Sequence, residues 1–139
     1  MNEARERTQD LGAMVDRLTN AFSAGDLETV LAMFHPQIRI LEAPSLPWGG
    51  THHGREGFVA LQATMHQWWD TAIKDLEVFD AGHVAVLHER MEITGKSTGR
   101  SMELDVVDIF SFREGMISEI DVYYKDVHAV LEVLGQGGS

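Results

Sequence analysis

The chain has 139 residues, 44% of them hydrophobic and 24% charged, with no cysteine and a formal net charge of −11. Length and composition fit one soluble globular domain spanning 1–139, with room for a sizeable core. The acidic excess makes nucleic acid and anionic membrane surfaces repulsive partners, and the missing cysteines exclude disulfides and thiolate metal sites.

The opening MNEARERTQDLG is charged from its third residue and holds no signal-peptide core. No apolar run is long enough to cross a bilayer, so a cytoplasmic protein is expected. Leu11, Met14, Val15, Leu18 and Phe22 recur at three and four residues, the buried stripe of an amphipathic helix. SAGD ends it, with Gly25 suited to a left-handed cap and Asp26 able to cap the next helix. Leu27, Val30, Leu31 and Phe34 carry that second helix until Pro36 forbids its continuation. Residues 38–43 read as a short strand, and PSLPWGG as a loop.

From Arg55 a long helix aligns Phe58, Leu61, Met65 and Trp69 on one side. Of the adjacent Trp68 and Trp69, at most one can face inward. Residues 83–93, 101–112 and 116–124 read as three strands separated by the turn segments GKSTGR and REGM, hence an antiparallel meander. Residues 126–134 suit a terminal helix, which leaves a core of about 10–134 between a flexible N-terminus and a flexible 135–139 tail. Helices come first and strands last, so the expected class is α+β.

The segment ELDVVDIF sets acids inside a strand. Its period of two puts Val106, Asp108 and Phe110 on one face and Asp105, Val107 and Ile109 on the other. Asp108, with apolar neighbours on both sides, requires a partner, a proton or a cavity. The same parity on the preceding strand aligns Ala85, Leu87, Glu89, Met91 and Ile93 inward, and turns Arg90 outward with His88 and Glu92. Gln62 and His66 lie four apart on the inner face of the long helix, and Ile120, Val122 and Tyr124 point inward from the last strand. Trp48, in the loop, is expected at the cavity mouth. Apolar Val107 and Ile109 on the opposite face imply a cover there, for which a second copy is the simplest candidate.

Other chemistries find little support. His52 and His53 are adjacent in a loop, and none of the spacings HxH, HxxxH or HExxH occurs, so no metal is expected. PWGGTHHG lacks the lysine of a phosphate loop, and there is no GxSxG elbow.

The helix–AGD–helix opening, FHPQIRILEAP, GTHHGRE and LDVVDIFSFREGMISEIDVYYKD together resemble the nuclear-transport-factor-2-like superfamily over nearly the whole chain. Within it they are most similar to SnoaL-like polyketide cyclases and ketosteroid isomerases. The resemblance implies a strongly curved sheet wrapped around the N-terminal helices as a cone (an α+β barrel) with an internal apolar cavity. It also implies a homodimer through the outer sheet face.

The ketosteroid isomerase base falls on Ala43 of LEAP and its first-helix tyrosine on Leu18. Only its buried aspartic acid is matched, by Asp108. Epoxide hydrolases of this fold need an inward arginine between two carboxylates, whereas Arg90 reads as outward and the last strand offers Val122.

The expectation is therefore a cofactor-free enzyme for a hydrophobic, carbonyl-bearing small molecule, acting by enolisation-linked cyclisation, isomerisation or dehydration. Asp108 is the central acid, with His66 or Glu89 as its catalytic partner. Gln62 and Tyr124 orient the substrate, and Trp48, Met91, Phe110, Leu18 and Trp69 form the walls. The alternatives are a non-catalytic ligand-binding or dimerisation module, favoured by the residues at Ala43 and Leu18, and an epoxide hydrolase with relocated groups.

Overall fold

The computed structural model describes residues 10–136. The expectations for the N-terminal residues 1–9 and for 137–139 lie outside the described residues. Helix α1 (Leu11–Ser23) starts on Asp10, whose carboxylate accepts from the Ala13 N–H at 3.0 Å. It buries Leu11, Val15, Leu18 and Ala21, but Phe22, expected in that stripe, is 52% exposed. Gly25 takes the left-handed conformation at φ +73°, and Asp26 caps α2 (Leu27–Met33) through the Thr29 N–H, as the sequence requires.

Phe34 is already extended and opens β1 (Phe34–Glu42), two residues before Pro36. Next come β2 (Gly50–His53), α3 (Gly54–Trp68), β3 (Trp69–Asp80), β4 (Val84–Gly95), β5 (Ser101–Arg113), β6 (Met116–Tyr124) and α4 (Val127–Leu134). Strands β2 and β3 are not expected from the sequence, which reads as a loop at the first and carries no assigned element at the second. Trp69 belongs to β3 and is buried, so it, rather than Trp68, is the inward tryptophan of the pair.

The six strands form one curved, unclosed sheet in the order β2-β1-β6-β5-β4-β3. All neighbours are antiparallel except β1 and β6. Strands β2 and β3 sit at opposite edges, and α3 alone joins them in the chain, so this helix must cross the concave side. Together with α1, it closes the hollow made by the sheet, and the core lies between them.

Parity on the central strands is as the sequence predicts. Ala85, Leu87, Met91 and Ile93 of β4, and Leu104, Val106 and Phe110 of β5, are buried on the concave face. The β4–β5 register runs unbroken from Val84↔Ser111 to Thr94↔Ser101, so no bulge reverses Glu89 or Asp108. Arg90 faces outward and pairs with Asp75 at 3.1 Å, which removes the inward arginine that the epoxide hydrolase alternative needs. No helix among the described residues is long and apolar enough to cross a membrane.

Helix α4 is seated on the β4–β5 turn. Thr98 and Ser97 donate their hydroxyls to the Val133 and Leu134 carbonyls, at 2.5 and 3.1 Å, satisfying acceptors that a helix end leaves open. A Cβ placed on Gly95 would stand 2.0 Å from the Val133 carbonyl oxygen, a contact that backbone movement alone could relieve. Gly95→Ala is expected to cost about 1–3 kcal/mol or more, the range for overpacking, read as a lower urea midpoint at unchanged slope.

Candidate active site

The hollow is a cavity of about 400 Å³, within the range of small-molecule sites. Its walls are mainly apolar, and α1, α2, α3 and all strands except β2 contribute to them. Leu18 of α1, Trp69 of β3, Met91 of β4 and Phe110 of β5 line it, where the sequence placed them. So do Gln62 of α3 and Tyr124 of β6. Phe22 and Ile73 line it while remaining 52% and 45% exposed, and thereby mark its opening. His66 is an exposed lining residue in the same position.

Three carboxyls from three strands converge inside. Glu89 on β4 and Asp108 on β5 lie on the concave face and share a hydrogen bond. Glu42, the last residue of β1, is the third. Ile38, Ile40 and Glu42 alternate with Arg39 and Leu41, so the period that buries two isoleucines carries the carboxylate in with them. The Tyr124 hydroxyl donates to Glu42 Oε1 at 2.5 Å, and the Trp48 indole N–H donates to the same oxygen at 3.2 Å.

Trp48 differs from its expected place. It is 2% exposed, stands behind Glu42 rather than at the mouth, and is absent from the cavity wall. The 43–49 loop folds back tightly enough that a Cβ on Gly49 would meet the Ala43 and Pro44 carbonyl oxygens at 2.4 and 2.6 Å. That turn drives the indole inward against Trp69, with ring centroids 4.7 Å apart.

Burial dominates the electrostatics. It raises Glu42 to about 7, against the opposing hydrogen bonds from Tyr124 and Trp48. It likewise raises Glu89 to about 7, opposed by the hydrogen bond with Asp108. Asp108 is pushed well above the carboxylate range by burial first, then by the charges of Glu89 and Glu42. Its hydrogen bond to Glu89 acts in the same direction on Asp108 and lowers Glu89. Tyr124 is raised by burial and by Glu42, and stays protonated.

Among the described residues, no hydrogen-bond donor reaches the Asp108 Oδ1 atom, which is closed off from solvent. Asp108 is thus brought together with Glu89, while His66 stands at the rim without a hydrogen bond to it. Glu42 is the residue that sequence reasoning missed. The resemblance pointed to its neighbour Ala43, although the alternation Ile38–Ile40–Glu42 was already visible.

An acid that holds its proton near neutral pH can donate to a carbonyl oxygen, and a carboxyl that ionises near 7 can accept a carbon-bound proton. Both kinds are present here, set in apolar walls.

The SnoaL-like domain family matches residues 15–120. No curated protein matches the chain. An NTF2-like protein of unknown function from Burkholderia pseudomallei superposes with a TM-score of 0.79 at 21% identity, covering 91% of this chain and 98% of that one. A protein from Pseudomonas putida, provisionally named a polyketide cyclase, gives 0.72 at 19% identity over 92% and 98%. TerC, co-crystallized with polyporic acid, gives 0.71 at 21% identity over 85% and 92%. At these identities the structural likeness establishes the fold, the nuclear-transport-factor-2-like cone.

Proposed function

Because the chain belongs to the SnoaL-like domain family, we propose that it is a small-molecule enzyme of that kind, turning over a hydrophobic, carbonyl-bearing substrate by enolisation. The observation that carries the reading is the convergence of Asp108, Glu89 and Glu42 in one apolar cavity, where burial raises all three carboxyls. Asp108 donates its proton as a hydrogen bond to the carbonyl oxygen, where negative charge develops. Glu42, held at Oε1 by Tyr124 and Trp48, takes the α-proton through its other oxygen. Glu89 accepts from Asp108 in the resting state and releases it to the substrate. The apolar walls strengthen each of these interactions over its value in solution. The enolate so formed feeds cyclisation, isomerisation or dehydration alike, and TerC offers a precedent for a guest bound to this architecture.

The reading includes a homodimer through the outer sheet face. Phe79 and Tyr123 are 52% and 54% exposed there, beside half-buried Val86, Val107 and Ile109. An exposed apolar strip of that sort ordinarily marks an interaction surface.

The test needs no natural substrate. Exchange of the α-protons of 2-tetralone in D₂O, followed by proton NMR, reads enolisation directly. The protein is expected to exceed a carboxylate buffer of equal concentration, with a rate that climbs through about pH 7 as Glu42 ionises. Exchange no faster than buffer, with the ketone bound, would leave only a passive binding cone.

A further inference from the structure

The floor of the cavity is rich in acceptors and short of donors. Glu42, Glu89 and Asp108 bring three carboxyls to it. Tyr124 and Trp48 both spend their donors on one oxygen of Glu42. Asp108 Oδ1 is enclosed, with no donor to it among the described residues. Among the described residues, no lysine or arginine lines the cavity, and His66 stands only at its opening.

We infer that the guest of this cavity carries, on an apolar body, a protonated amine whose N–H groups dock on Glu42 and the Glu89–Asp108 pair. The inference rests on the same cavity being a small-molecule site, but not on the chemistry done there. An ammonium brings three donors and the missing charge in one group, and hydrogen bonds between ionised partners are about twice as strong as neutral ones. Burying it would be prohibitive in a wholly apolar hollow, but is offset here by carboxylates already in place. A carboxylate or phosphate guest would add an anion to an uncompensated acidic floor. The apolar walls select the body, and the exposed Phe22 and Ile73 let it extend through the opening.

The ionisable groups facing the guest are Glu42 from β1, Glu89 from β4, Asp108 from β5, Tyr124 from β6, His66 from α3 and Asp70 from β3. Helix α1 adds only the hydroxyls of Thr19 and Ser23, and α2 adds no polar group. Glu42 and Glu89 ionise near 7, so amine affinity is expected to rise as the pH passes that value.

Calorimetric titration with 1-naphthylmethylamine, 1-naphthylmethanol and 1-naphthoate tests this, since the three share one body and differ in the polar group. Near pH 8 the amine is expected to bind about tenfold or more tighter than the alcohol, with the preference shrinking near pH 6. The variants Glu42→Gln and Glu89→Gln should each weaken the amine by a larger factor than the alcohol, with a parent-like circular-dichroism spectrum showing that the variant is folded. Alcohol binding as tight as amine, or naphthoate tightest, overturns the inference and leaves enolisation standing. Failure of all three probes to bind overturns it as well. Amine preference in a protein that exchanges no α-protons would sink enolisation alone.

Discussion

Asp108→Asn is expected to slow α-proton exchange by on the order of 10²–10⁴-fold and to leave the protein folded. Asparagine keeps the shape of a protonated aspartic acid and its ability to donate. It cannot strengthen that bond as charge develops on the substrate oxygen, and it has no proton to share with Glu89. The fold should tolerate the change because burial already pushes the Asp108 carboxyl toward its neutral form, which asparagine mimics. Exchange within a few-fold of the parent protein, with unfolding unchanged, would remove Asp108 from the chemistry and shift attention to Glu42 alone.

Stability is expected to fall as pH rises from about 5 to about 8, by several kcal/mol in urea unfolding. The sign follows from the raised carboxyls. Glu42 and Glu89 ionise near 4.5 in the unfolded chain but near 7 in the folded one. Below 4.5 both states hold these protons, and the contribution is fully present. Between the two values the unfolded chain has released protons that the folded chain retains, so raising the pH favours unfolding. Each such shift, from 4.5 to about 7, corresponds to about 3 kcal/mol, with the two groups sharing a common field rather than adding strictly.

The acidic surface pushes the same way through self-repulsion, and the Glu42→Gln, Glu89→Gln double variant separates the two effects. Its profile should be flatter and its stability at pH 8 higher than the parent's. Stability that is level or rising from pH 5 to 8 in the parent protein would contradict the burial of these carboxyls. Such a cost is what a site built for proton transfer entails, since groups tuned for chemistry are rarely optimal for folding.

The elements legible in the sequence were those whose apolar pattern is regular and whose ends are marked. Helix α1 has its stripe and its Gly25–Asp26 stop, and β4 and β5 alternate between turns, β5 as far as Phe110. Parity alone placed Glu89 and Asp108 in the hollow and Arg90 outside it. Strand β3 escaped because its register shifts between Ile73 and Asp75. Its inward residues then run Thr71, Ile73, Leu76, Val78, which matches neither period, and most of the strand is exposed at a sheet edge. Strand β2, four residues long and half exposed, carries no pattern to read.

Trp48 was misplaced for a different reason. Its neighbours Pro44, Pro47, Gly49 and Gly50 mark a loop correctly, but nothing local tells a loop that lids a cavity from one that turns its tryptophan into the core. Phe22 kept its helical spacing yet met the cavity opening instead of a packing partner on all sides. Glu42 shows the opposite failure, where a family pattern drew attention one residue away from the group that strand periodicity had already turned inward.

Carbon-13 NMR titration of protein labelled at the aspartate and glutamate side-chain carboxyls, with Asp108→Asn assigning the key signal, is the most direct measurement. Asp108 should remain protonated at neutral pH while Glu42 and Glu89 titrate near 7. If all three carboxyls are ionised by about pH 5, in the range of solvated acids, the hollow is not the desolvated acid site described above.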